Sequence, residues 1–185
     1  MELVTPRLRL REFVEADFLA LCEMNAFPEM HTYEREQPSV AEIRRSLESY
    51  INNAVLQPRT TYQLAITVPP SDSVRGMIKL SRQWEAIREW EVGWAVHPAD
   101  WGKGYATEAA WHVMDWGFRQ LNIHRLVAFC HASNDASVRV MEKLGMHRDG
   151  VLRETRWLRG NWWDEYVYAI LEKEWVNGGE DPPGF

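Results

Sequence analysis

The chain has 185 residues, 45% of them apolar and 26% charged, with a net charge of −6. That balance fits one soluble domain with a sizeable core, excludes a disordered polypeptide, opposes nucleic-acid binding and favours a cationic partner. No apolar run approaches the ~20 residues that span a bilayer, and arginines through MELVTPRLRLREF exclude a signal peptide. Two cysteines, Cys22 and Cys130, make neither a disulfide framework nor a four-thiolate metal site, so a cytoplasmic protein without membrane or metal is expected.

In chain order, residues 3–13 alternate Leu8 and Leu10 against Arg7, Arg9 and Arg11, the period of one half-buried strand. Val14, Phe18, Leu21 and Cys22 follow helical spacing, which fades near Asn25 and Pro28, and residues 26–38 read as a loop. Ser39 with Glu42 forms a capping box. It opens a helix whose stripe is Ile43, Leu47, Tyr50, Ile51, Ala54 and Val55, stopped by Pro58. Residues 60–68 and 74–84 are strands joined by PPSDS, a hairpin. The strand 89–96 sets Trp90, Val92, Trp94 and Val96 on one face and Glu89, Glu91, Gly93 and Ala95 on the other. After His97-Pro98 a helix begins beyond Gly104, with Ala106, Ala110, Val113, Met114, Gly117 and Leu121 inward. Residues 125–131 are apolar on both faces, as in a central strand, and a helix over 134–144 closes on Gly145. Strands at 150–158 and 163–171 turn at Arg159-Gly160-Asn161. The spacing predicts one domain over 1–176 and a polar tail over 177–185.

The loop WGKGYA, residues 101–106, turns a row of backbone N–H groups toward a helix N-terminus, where anions bind and glycines permit close approach. The same glycines also suit a tight strand-to-helix connection. A dinucleotide fingerprint needs a glycine where Thr107 stands, and a Walker loop needs Gly-Lys-Ser/Thr where the chain has Gly102-Lys103-Gly104. His124, Cys130 and His131 share one strand, with Cys130 facing away from His131, so no metal is expected there.

HPADWGKGYATEA is followed, on the next strand–helix unit, by SNDASVRVMEKLGM; TPRLRLREF precedes them and GVLRE…RGNWWDE…Y ends the pattern. Over nearly its whole length the chain resembles the GNAT superfamily of N-acetyltransferases, and within it the branch of ribosomal-protein N-terminal acetyltransferases. The resemblance implies an α/β (α+β) three-layer fold. Its mixed, mostly antiparallel sheet would have about seven strands and about four flanking helices, splayed between 90–96 and 125–131. It implies acetyl-coenzyme A as cofactor, with the pyrophosphate on the amides of Gly102, Lys103, Gly104, Tyr105 and Ala106, and with Thr107 next in the cradle. Trp101 stands where the family carries Gln or Arg. The pantetheine arm would run beside Trp94, Ala95 and Val96 and meet Asn134, a residue that equally suits a helix N-cap.

The family's tyrosine acid falls on Met141, which cannot donate a proton, and Ser137 matches the serine proposed in this branch to protonate the leaving thiolate. Amides near Trp94 would polarise the thioester carbonyl. Glu91, or an ordered water, would take the amine proton, unless Glu91 forms a cross-strand ion pair with an arginine such as Arg82; Glu154 and Asp164 are reserves. Tyr33, Trp157, Trp162 and Trp163 would line the acceptor site. The reaction implied is direct acetyl transfer to a primary amine: a protein N-terminus, polyamine, amino acid or antibiotic. The rival class is a non-catalytic acyl-CoA sensor, and either a monomer or a homodimer fits.

Overall fold

The computed structural model describes residues 1–33 and 36–178. Its first two strands, β1 (Glu2–Val4) and β2 (Arg9–Glu12), pair antiparallel with each other, so residues 3–13 are a hairpin rather than one strand. Pro6 has no N–H to extend a ladder, and the Thr5 amide donates to Leu8 O at 2.9 Å, closing the reversal. Leu8 and Leu10 keep their alternation on the second arm, which is why the pattern reads straight through.

Helix α1 (Phe18–Asn25) and a short 3-10 turn at Pro28–His31 lead to α2 (Val40–Asn53). The Ser39 amide donates to Glu42 Oε2 at 2.8 Å and the Glu42 amide donates back to Ser39 Oγ at 3.3 Å, closing the expected capping box. Strands β3 (Thr61–Thr67), β4 (Val74–Trp84) and β5 (Glu89–Val96) are successive antiparallel neighbours. A 3-10 turn at Pro98–Asp100 then delivers the chain to α3 (Tyr105–Gln120), followed by β6 (Arg125–His131), α4 (Asp135–Lys143), β7 (His147–Leu158) and β8 (Asn161–Leu171). The last hairpin turns on two residues, not three. Arg159 and Gly160 both have positive φ, 51° and 79°, as a type I′ turn requires, and Asn161 already pairs with Leu158.

Among the described residues the sheet therefore has eight strands, in the order β1-β2-β3-β4-β5-β6-β8-β7. A fifth α-helix, α5 (Glu172–Gly178), enters the segment expected to be a polar tail; residues 179–185 lie outside the described ones. It is anchored by Trp175, which stacks on Phe118 at 5.4 Å between ring centroids. One face of the sheet carries the larger core, from Leu8 and Ile78 to Met114, Ala128 and Tyr168. The other face holds a smaller core of Phe13, Leu21, Met24, Ile43 and Leu47 against Ala65 and Val74, beneath α1 and α2.

One departure from regular pairing positions everything that follows. β5 and β6 run parallel and meet only at Glu89↔Arg125, Trp90↔Leu126 and Glu91↔Val127. Beyond Glu91 they part, as expected from the sequence.

Candidate active site

On its other edge β5 stays paired with β4 out to Val96, and the next amide, that of His97, donates to Arg75 O at 2.8 Å. Successive residues of a strand direct their backbone groups to alternate edges. Hence Val92, Trp94 and Val96 turn theirs toward the gap. Trp101 uses one of these groups, its indole Nε1 donating to Val96 O at 2.7 Å.

A cleft of about 740 Å³ occupies the gap. Its walls include Trp94, Ala95 and Val96, the whole run Trp101, Gly102, Lys103, Gly104, Tyr105, Ala106 and Thr107, and Asn134, Ser137 and Tyr33. Gly102 and Gly104 hold φ of 78° and 81°, values a side chain rarely tolerates. Gly104 is the N-cap of α3 and supplies no side-chain bond, so the first-turn amides stay available to an anion. A Cβ built at Gly102 meets nothing within 4 Å. The cradle therefore has both the donors and the room for a diphosphate.

The cradle is held from behind. Glu108, fully buried in the first turn of α3, accepts from Thr5 Oγ1 at 2.5 Å, from the Arg7 amide at 2.9 Å and from Arg7 Nε at 2.6 Å. Arg7 also donates through Nη1 to Lys103 O at 2.9 Å. Asp100, on the other side of the loop, accepts from Arg75 Nε at 2.6 Å and from Lys103 Nζ at 2.7 Å. Burial alone pushes the Asp100 carboxyl up, but the bonds from Arg75 and Lys103 outweigh it and hold its pKa below the ordinary carboxylate value. Neither anchor is read from the sequence; a Thr-Pro-Arg start and a glutamate in a helix's first turn are the only local hints.

Asn134 is an N-cap: its Oδ1 accepts the Ser137 amide at 3.1 Å, which leaves its Nδ2 for the cleft. Ser137 is half-buried on the same wall. Met141, in the tyrosine slot, is fully buried in the larger core. Two cations on the α4 wall escape the sequence reading, Arg139 and Lys143; their signal is a basic pair four residues apart, which shares one helix face.

Glu91 stands outside the cleft walls, at the apex where the strands part. Its carboxylate accepts from Gln83 Nε2 at 2.7 Å. The pairing with Arg82 does not form, because Arg82 lies opposite Trp90 and bonds Glu85 at 3.1 Å. Of the reserve carboxylates, Asp164 is spent on the β7 bulge, accepting the Glu154 amide at 2.9 Å.

The aromatic residues separate. The ring of His131 lies 4.8 Å from that of Trp163 and 5.1 Å from that of Tyr33, between centroids. Arg159 Nη2 donates to His31 O at 2.9 Å, tying the hairpin turn to the segment after α1. Trp157 and Trp162 pair with each other at 5.0 Å, both 57% exposed, and do not join this group. Neighbouring residues 162 and 163 must point to opposite sheet faces. His131, considered above only as a metal ligand, is thus a buried residue in ring contact with both Tyr33 and Trp163. Cys130 points the other way into the core, where burial, and then the nearby Glu165 charge, push its thiol up to about 11; it is no nucleophile near neutral pH.

A sheet opened between two parallel strands, with a glycine-capped helix start at the mouth, defines an acyltransferase-type α/β enzyme. Residues 7–147 match the family described as Acetyltransferase (GNAT) domain, and the chain belongs to that family. It is 33% identical over 175 residues to Uncharacterized N-acetyltransferase YnaD of Bacillus subtilis (strain 168), across 95% of this chain and 99% of that one. Its fold matches a GNAT-family acetyltransferase from Bacillus anthracis with a TM-score of 0.82 and 29% identity, over 94% of this chain and 99% of that one. RimJ of Mycobacterium smegmatis, solved in complex with CoA-disulfide, shares the fold at a TM-score of 0.77 and 19% identity, over 93% of this chain and 89% of that one. The protein is an N-acetyltransferase of the GNAT type.

Proposed function

We propose that the protein binds acetyl-coenzyme A in the gap between β5 and β6 and transfers the acetyl group directly to a primary amine, with a protein N-terminal amine as the acceptor class. The observation that carries this reading is the contiguity of one cleft, with uncapped amides at its mouth and unpaired strand edge along its length; Glu91 stands just outside its walls, at the last residue pair before the strands part. When bound, the cofactor supplies an acetyl group activated as a thioester. Gly102 to Thr107 hold its diphosphate, and the edge groups of Trp94 and Val96 together with Asn134 Nδ2 hold the arm in register. The Trp94 N–H polarises the acyl carbonyl. Glu91, oriented by Gln83, takes the proton of the attacking amine, and Ser137 Oγ returns one to the leaving sulfur. The acceptor enters past Tyr33, His131 and Trp163. Resemblance to the ribosomal-protein branch and the protein's net charge of −6 favour a cationic peptide terminus.

Calorimetric titration with coenzyme A, followed by thiol-release assays with peptide N-termini and small amines, tests this. Glu91→Gln is expected to lower kcat/KM about a hundredfold or more, and Ser137→Ala to lower kcat at unchanged coenzyme A affinity. No heat at millimolar coenzyme A overturns the cofactor reading. Binding with background turnover for every amine in every variant makes the protein an acyl-CoA-binding module instead.

A further inference from the structure

We infer that Arg139 and Lys143 of α4 form a clamp for the 3′-phosphate of coenzyme A, so that the protein distinguishes coenzyme A from its 3′-dephospho form. The inference rests on the cofactor reading above. Coenzyme A carries two separate anionic centres on its nucleotide end, the diphosphate and the 3′-phosphate. The cleft has two separate places to receive them. One wall, residues 101–107, offers main-chain amides, and its single lysine is already committed: Lys103 Nζ lies 2.7 Å from Asp100 Oδ1. The facing wall, α4, presents Arg139 and Lys143 to the same cleft, one helical turn apart.

Both side chains are exposed, and neither holds an ion pair among the described residues. Glu142, which lies between them in sequence, is turned to the β8 side, where Tyr168 Oη donates to it at 3.4 Å. Other arginines of the molecule with a carboxylate in reach use it: Arg11 on Asp17, Arg59 on Glu12, Arg125 on Glu89. A guanidinium and an ammonium left unpaired on a shared cleft wall suit a dianion, and Arg offers it a forked donor. Because the pair is solvent-exposed, its effect is that of two screened charge contacts rather than of a buried bridge.

Calorimetry with coenzyme A and 3′-dephospho-coenzyme A on the full chain decides the matter. The unmodified protein is expected to bind coenzyme A about tenfold more tightly at low salt, with the ratio shrinking as salt is raised. In Arg139→Gln/Lys143→Gln the ratio falls to about one while the dephospho ligand binds as before; the melting temperature of the free protein, unchanged, shows that the fold is intact. Lys103→Gln keeps the preference. A protein that binds both ligands equally overturns the inference, and so does a double variant that weakens both ligands alike and preserves the ratio, since the pair then serves the diphosphate. Failure of either ligand to bind overturns the coenzyme A reading itself.

Discussion

Replacing Glu108 by glutamine removes one charge and moves almost no atoms, yet it disarms the anchor behind the cofactor loop. The glutamine carbonyl can take over Oε1 and accept from Thr5 Oγ1 and the Arg7 amide, as the glutamate does at 2.5 and 2.9 Å. The amide nitrogen then faces Arg7 Nε, which donates to Oε2 at 2.6 Å in the native protein, so a donor meets a donor. A charge-assisted hydrogen bond is worth about 1.5–3 kcal/mol. Arg7 keeps 36% of its side-chain surface exposed, so water recovers part of the loss and the lower half of that range applies, about 2 kcal/mol. For a chain of this length that is a fall in Tm of about 4–8 °C. The measurement is a calorimetric melt of Glu108→Gln beside Arg119→Ala, which breaks only the exposed Arg119–Asp115 pair and is expected to move Tm by about 1 °C. Arg7 also donates to Lys103 O, so coenzyme A affinity should fall in Glu108→Gln and not in the control. A Tm within a degree of the unmodified protein would show that the buried carboxylate is not what fixes the start of α3.

Asp100 predicts an acid-side effect. Its pKa is depressed in the folded state, so its contribution is present above the unfolded value near 4 and is lost as pH falls through the lower folded value; between neutral pH and pH 3 the unmodified protein should lose more stability than Asp100→Asn. Cys130, with its thiol raised to about 11 and its side chain buried, should resist a disulfide reagent at pH 8 until the protein is unfolded, while the half-buried Cys22 reacts first; thiol counting before and after denaturant checks the order. A Cβ at Gly93 meets nothing within 4 Å, so Gly93→Val should keep the melting temperature and lower kcat/KM by filling the open strand face beside Glu91. Gly104→Ala, forced into a φ of 81°, should cost about 1–2 kcal/mol and weaken coenzyme A binding with it.

What the sequence discloses is what short-range chemistry decides. Ser39 and Glu42 close their capping box within four residues, Asn134 caps α4 through the amide three places on, and Gly102 and Gly104 take positive φ in the loop whose glycines suggest an anion cradle. The parting of β5 from β6 was also legible, though through resemblance to a family rather than through periodicity. What stays hidden depends on register and on contacts between distant segments. Arg82 and Gln83 are equally near Glu91 in sequence. Only the antiparallel pairing, with its irregularity between Arg82 and Trp84, brings Gln83 to the carboxylate. Trp175 gives no helical period because α5 is stabilised by Phe118 and Trp111 of α3. Trp157, Trp162 and Trp163 cluster in the sequence and part in space, since strand alternation sends 162 and 163 to different faces. Arg7, Glu108 and Lys103 meet across the length of the domain, a triad no window could contain.

The three residue pairs that join β5 to β6 also divide the molecule mechanically. On one side stand β1 to β5, contiguous in the sequence; on the other stand β6 to β8, likewise contiguous. Each half closes over shorter loops than a sheet shuffled end to end, which lowers the entropic barrier to forming it. The seam is as short as the terminal β1–β2 ladder, three residue pairs each, and the amides of Trp94 and Val96, lacking a partner strand, should exchange with solvent faster than their neighbours on β4. A molecule lodged along that edge acts as a ninth strand of foreign chemistry: it slows exchange there, raises the melting temperature with the logarithm of its free concentration once that exceeds its Kd, and turns two half-sheets into one body.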